Sequence, residues 1–150
     1  MKKNNAFLDM ESQIKKLGYR MTKPRQMVFK VLTKTTEHLL AKEIYLDIQK
    51  KHPDIGLTTI YRTLEILAKI GLINKFCIGD GQSRYELGWD FKEHHHHMIC
   101  RNCGKIIDYK DFINEEITFF NRIEKFLSKN YKFAISNHEV FFYGTCDSCK

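Results

Sequence analysis

The chain has 150 residues, 43% of them hydrophobic, and a formal net charge of +7. That length suits one ordinary domain or two small lobes with a real core. No run approaches the roughly 18 apolar residues of a membrane span, and the start, MKKNNAFLDMESQ, lacks the apolar stretch of a signal peptide, so the expected compartment is the cytoplasm. The charge is uneven. Residues 1–92 carry 17 Lys/Arg against 10 Asp/Glu, whereas residues 93–150 carry 8 of each. Such asymmetry suggests a nucleic-acid-binding lobe joined to a neutral one, although a solvated basic surface would give the same count.

The first helical pattern, MESQIKKLGYR, is closed by Gly18. Thr22 is placed to cap a second helix, with Pro24 tolerated in its first turn. That helix buries Met27, Val28, Val31 and Leu32. AKEIYLDIQKK then sets Ala41, Ile44, Tyr45 and Ile48 on one face, but Leu40 before it is a poor cap. After the turn HPDIGL, the helix 58–70 carries Ile60, Thr63, Leu64 and Leu67 on one face and stops at Gly71. Its other face offers Thr58, Tyr61, Arg62, Glu65 and Lys69. LINKFCI and SRYEL around GDGQ read as a β-hairpin.

Three helices and a hairpin outline a winged helix-turn-helix over residues 1–88. In that plan helix 58–70 enters the major groove, where Arg reads guanine edges or phosphates and Tyr and Thr pack on a thymine methyl. A helical hairpin with a polar outer face is the plainer alternative. Residues 89–93 read as a linker to a second lobe, 94–150. That lobe is α+β. It has a strand at 97–100, a strand KIIDY, and a helix with Ile113, Ile117, Phe120, Ile123 and Leu127 inward. Further strands are expected within YKFAISNHEVFFYGTC. Its neutral, apolar character suits a dimer interface.

Four of the five cysteines form two Cys-x-x-Cys pairs, Cys100/Cys103 and Cys146/Cys149, with 42 residues between them. Four thiolates at this spacing suit a closed, tetrahedral Zn²⁺ site that staples the start of the second lobe to its end. A redox dithiol is the competing reading, but it needs only one pair. Cys77, alone in a strand pattern, reads as a small packed residue. Just before the first pair stand His94, His95, His96 and His97. If they are extended, His95 and His97 point one way and His94 and His96 the other, so the run can serve two sites. Carboxylate and imidazole candidates to complete them are Glu86, Asp108, Glu115, His38 and His138. Imidazole suits Zn, Fe, Mn and Ni, and carboxylates shift the preference toward harder ions.

These motifs together resemble the ferric-uptake-regulator family of metal-dependent transcription factors. The matching stretches are GYRMTKPR, HLLAKEIY, IGLTTIYRTLEIL, GDGQSRYEL, HHHHMICRNCGKIID, NHEVFFYGTC and the final CDSC, and they span nearly the whole chain. The resemblance implies an α+β protein with an N-terminal winged-helix domain and a C-terminal α+β dimerisation domain. It implies a homodimer that binds palindromic double-stranded DNA operators and represses when metal is bound. Cys100, Cys103, Cys146 and Cys149 would hold structural Zn²⁺. A regulatory site of His38, Glu86, His95, His97 and Asp108 would take Fe²⁺ or Mn²⁺, with Zn²⁺ also tolerated. An additional site would use His94, His96, Glu115 and His138. Arg20 corresponds to a basic minor-groove contact, and Thr58, Thr59, Tyr61 and Arg62 to the reader helix.

Some positions depart from the iron-sensing pattern. His96 stands where many iron regulators have Asp. Asp108 stands where they often have Glu, and is of the type found in the peroxide-sensing branch. Glu86 and Arg62 are of the iron type. Iron regulation is therefore expected first, then peroxide sensing, then zinc uptake. A zinc-dependent hydrolase would also gather His and Glu around a metal, but no nucleophile or oxyanion-hole motif accompanies them. No enzymatic activity is expected.

Overall fold

A computed structural model describes residues 10–88, 95–135 and 138–150. The linker 89–93 and His94 lie outside the described residues. The chain divides into two compact units, Met1–Glu93 and His94–Lys150.

In the first unit, residues 10–16 are helical and bury Met10 and Ile14. Helix α1 spans Lys23–Leu32 and buries Val28, Phe29 and Leu32. Met27 and Val31 are only partly buried, and Phe29 takes the central place not expected of it. Thr22 occupies the N-cap but makes no side-chain cap bond. Pro24 sits at the second helical position, one of the two whose N–H a cap would serve. Strand β1, Leu39–Leu40, leads into helix α2, Ala41–Gln49. The Leu40 N–H donates to Glu43 Oε2 at 2.7 Å, so the helix start is held by a carboxylate reaching back from its first turn.

Helix α3 spans Leu57–Lys69 and buries Ile60, Thr63, Leu64 and Leu67. Three threonines make a weak helix former of this stretch. Burial of three large apolar side chains, roughly 1.5–3 kcal/mol each, outweighs the few tenths lost per threonine. Gly71 ends the helix at φ +75°, and the Leu72 N–H donates to Leu67 O at 3.0 Å.

Strands β2 (Ile73–Cys77) and β3 (Ser83–Leu87) form the expected hairpin. β1 adds to its edge in the order β1-β3-β2, every pair antiparallel. Two residues of β1 are too few to show a period, which is why it escaped the sequence reading. Gly88 closes the hairpin against the end of α3. A Cβ there would meet the Gly71 carbonyl oxygen at 2.4 Å, so no side chain fits. Helices α1, α2 and α3 with this small sheet make the unit a winged helix-turn-helix.

In the second unit, β4 (His96–Cys100) lies between β5 (Ile106–Tyr109) and β6 (Phe141–Gly144). β5 is antiparallel to it and β6 parallel. A parallel partner requires a crossover, and helix α4, Ile113–Tyr131, supplies it. Ile113, Phe120, Ile123 and Leu127 are partly buried, but Ile117 is exposed and no residue of α4 is fully buried. Within YKFAISNHEVFFYGTC, β6 is the one strand among the described residues. The fold is α+β. No helix among the described residues is long and apolar enough to cross a membrane.

Candidate metal centres and nucleic-acid face

The four cysteines of the two Cys-x-x-Cys motifs meet. Their sulfur atoms all lie within 4.8 Å of one another, with Cys103 Sγ 3.7 Å from Cys146 Sγ. Turns bring them there. The Gly104 N–H donates to Cys100 O and the Cys149 N–H to Cys146 O, each at 2.9 Å. The Cys146 N–H donates to Cys100 Sγ at 3.3 Å. Backbone N–H groups of Cys146, Cys103 and Asn102 hold the Cys100 thiol down at about 6. Hydrogen bonding with Cys103 and Cys146 pushes the Cys149 thiol up to about 12. A divalent cation at the centre of four such sulfurs would draw them together as thiolates. All five cysteines are free thiols. Four ligands in one cluster suit closed tetrahedral zinc, not a dithiol pair. Cys77 is exposed on β2, not packed inside.

In the first unit His38 and Glu86 come together, with His38 Nε2 3.5 Å from Glu86 Oε2 and both side chains at least nine-tenths buried. β3 carries Glu86, and Phe76 of β2 sets its ring against the His38 imidazole, centroids 5.3 Å apart. In the second unit β4 alternates as expected. His95 Nε2 lies 3.7 Å from Asp108 Oδ2, and His97 Nε2 lies 3.6 Å from Asp108 Oδ1. The two imidazoles stand 5.0 Å apart, nearly perpendicular. Separations of 3.5–3.7 Å are long for direct hydrogen bonds. They leave room for a cation ligated at about 2 Å by each atom.

His96 points to the other face of β4, where its Nε2 meets Glu116 Oε2 at 2.7 Å. The Tyr109 hydroxyl donates to Glu116 Oε1 at 3.4 Å. Burial holds the His96 imidazole below its ordinary value. His138 lies close by, its ring 6.1 Å from that of His96 and stacked on Phe120 at 4.3 Å. Its Nδ1 is 2.8 Å from Glu124 Oε1. Glu115 is exposed and lines a recess with Phe112, Phe119 and Phe142. His94 lies outside the described residues. The carboxylates beside these imidazoles are thus Glu116 and Glu124, which the sequence reading missed. One position on a helix turns a side chain by about 100°, and nothing in NEE marks which glutamate faces the sheet.

The proposed reader face is open. Thr58, Thr59, Tyr61 and Arg62 are all exposed on α3, and so is Arg20. Glu65 on the same helix is matched by Lys75 Nζ of β2 at 2.6 Å. An exposed pair adds little stability, but it neutralises a carboxylate that would repel phosphates.

Comparison with known proteins gives the family. The sequence profile of the ferric uptake regulator family matches residues 16–143. The ferric uptake regulation protein of Bacillus subtilis is 34% identical over 142 residues, 93% of this chain and 91% of that protein. The peroxide-responsive repressor PerR of Staphylococcus epidermidis is 32% identical over 140 residues, covering 93% and 87%. The solved structure of the Helicobacter pylori ferric uptake regulator Fur, described as revealing three functional metal-binding sites, superposes with a TM-score of 0.74 at 30% identity, covering 97% of this chain and 92% of that one. The chain belongs to the ferric uptake regulator family: it is a metal-responsive transcription regulator, and not an enzyme.

Proposed function

We propose that the chain is an iron-dependent repressor that binds palindromic DNA operators as a cytoplasmic homodimer. Zn²⁺ in the four-cysteine cluster holds the second unit together. His38 and Glu86 of the first unit, with His95, His97 and Asp108 of the second, ligate one regulatory Fe²⁺ or Mn²⁺. The reading rests chiefly on the His95–Asp108–His97 cluster, where two imidazoles converge on one carboxylate at cation-sized gaps. Three imidazoles and two carboxylates suit Fe²⁺ or Mn²⁺ and tolerate Zn²⁺. The bound ion would supply the charge that holds these five side chains together. His38 and Glu86 then fix the reader-bearing unit, and affinity for DNA rises by as much as the ion prefers that arrangement over others. Residues 1–88 form the DNA-binding domain and 94–150 the dimerisation domain, joined by 89–93.

Two further parts belong to this reading. Met98, Ile107 and Phe142 are adjacent across β5, β4 and β6 and all three are exposed, which suits burial against a second copy. His94, His96, Glu115 and His138 form an additional metal site, with Glu116 and Glu124 the carboxylates nearest its imidazoles.

Operator binding titrated separately with Fe²⁺, Mn²⁺ and Zn²⁺, with and without peroxide, tests the proposal. Fe²⁺ and Mn²⁺ should both raise affinity, and low-micromolar peroxide should leave the Fe²⁺ form on DNA. Peroxide sensing is the second reading, favoured by Asp108 and by the likeness to PerR. One oxygen added to His38 or His95, with loss of DNA binding, would decide for it.

A further inference from the structure

The His38–Glu86 pair has a neighbour that the metal reading leaves unused. In the β2–β3 register Asn74 stands directly opposite Glu86, so both side chains leave the same face of the sheet. The Asn74 amide donates from Nδ2 to Glu86 Oε1 at 3.2 Å. The other carboxylate oxygen, Oε2, is the one that faces His38 Nε2 at 3.5 Å. The two oxygens have separate partners.

We propose that Asn74 is a positioning residue that makes Glu86 a one-oxygen ligand aimed beside His38. The inference rests on the reading of His38 and Glu86 as ligands of the regulatory metal. A carboxylate with two free oxygens can chelate, which occupies two positions and suits large ions with many oxygen ligands. With Oε1 engaged, Glu86 presents one oxygen and leaves positions for three imidazoles and Asp108. The amide suits the task because it is neutral. Its NH₂ end is the donor that a carboxylate accepts, so it orients Glu86 without altering the charge of the site. Partners of metal ligands in this role set metal affinity about tenfold to 100-fold.

The test uses full-length protein with its cysteine-bound zinc in place and Mn²⁺ as the probe. Asn74→Leu removes the donor at similar size, and Asn74→Val provides a second variant without a donor that suits a strand. Glu86→Ala is the reference. Both Asn74 variants should lower Mn²⁺ affinity by about 10- to 100-fold, with zinc content and the melting temperature of the Mn²⁺-free protein unchanged. Infrared difference spectra on Mn²⁺ binding should show the Glu86 carboxylate bands, identified by their loss in Glu86→Ala, drawing together as the second oxygen becomes available. Mn²⁺ affinity within about twofold of the parent in both variants, well below the outer-shell range, overturns the inference. So does a loss of affinity that merely tracks a lower melting temperature. If Glu86→Ala itself leaves Mn²⁺ affinity intact, the ligand reading beneath it fails instead.

Discussion

His97 and Asp108 are cross-strand partners in the β4–β5 pair, and their Nε2 and Oδ1 atoms lie 3.6 Å apart. His95, two residues earlier, reaches the other oxygen of the same carboxylate at 3.7 Å. One aspartate therefore faces both imidazoles. Asp108→Asn keeps the shape but removes the charge. It should lower Mn²⁺ affinity by about tenfold or more, since even outer-shell partners carry that much. The cysteine-bound zinc should remain. Calorimetric Mn²⁺ titration alongside a zinc assay measures both, and unchanged Mn²⁺ binding would remove Asp108 from the ligand set.

The cysteine cluster makes a separate prediction. Cys100 ends β4 and Cys146 follows β6, so the metal joins strands far apart in the chain. α4 offers no fully buried residue, and the second unit has a small core of its own. Metal binding free energy here is folding free energy. Cys146→Ser should release about one zinc per chain and cost the second unit on the order of several kcal/mol. Unchanged thermal unfolding of a zinc-free Cys146→Ser protein would show that the cluster is not a staple.

How much of this was legible in advance depends on the period of each element. Ile60, Thr63, Leu64 and Leu67 follow the helical repeat, and all four are buried. The histidine alternation and the cysteine spacing were equally direct, because each is a local pattern. Phe29 was not legible, since Met27, Val28 and Phe29 are consecutive apolar residues and helix rotation alone decides among them. Glu116 was hidden for the same reason. Asn74 needed the hairpin register, which follows from where the turn falls. Phe112, Phe119 and Phe126 recur every seven residues yet are all exposed. The inward face was expected at Ile113, Ile117, Phe120, Ile123 and Leu127, and of these only Ile117 is exposed.

The exposed sheet row provides the test of assembly. Met98 has Ile107 and Phe142 as its partners on either side. Phe142 is 55% exposed, so a charge placed there disturbs little inside one chain. Phe142→Asp should leave the secondary structure and zinc content intact but shift the protein from dimer to monomer in sedimentation at micromolar concentration. A burial loss of about 1.5–3 kcal/mol in each subunit, plus the cost of a buried charge, is enough to move the equilibrium by two orders of magnitude or more. Persistence of the dimer would place the interface elsewhere.

On the reader helix, Arg62 is exposed and lies on the face opposite Leu64 and Leu67. Arg62→Ala should weaken operator binding by roughly 1–3 kcal/mol and relax base preference. Lys69→Ala, if Lys69 touches phosphate alone, should weaken all sequences alike and flatten the salt dependence. Anisotropy titrations on operator and scrambled duplexes at several salt concentrations separate the two. An Arg62→Ala protein with intact operator preference would exclude α3 as the reader.

Arg25 bears on the same surface indirectly. Its guanidinium Nη1 donates to the Arg20 carbonyl and the group lies over the Tyr19 ring, 5.6 Å from its centre. Both contacts hold the segment just before α1, from which the exposed Arg20 side chain projects. Arg25 therefore orders the arm that carries Arg20. If Arg20 enters the minor groove, Arg20→Ala should cost about 1–3 kcal/mol of operator binding, and Arg25→Gln should cost less. The double variant should bind no worse than Arg20→Ala alone, because Arg25 then has nothing left to position. A double-mutant cycle at fixed salt measures this coupling. Strict additivity would mean that Arg25 touches DNA itself, and an Arg20→Ala variant with full affinity would remove the arm from the interface altogether.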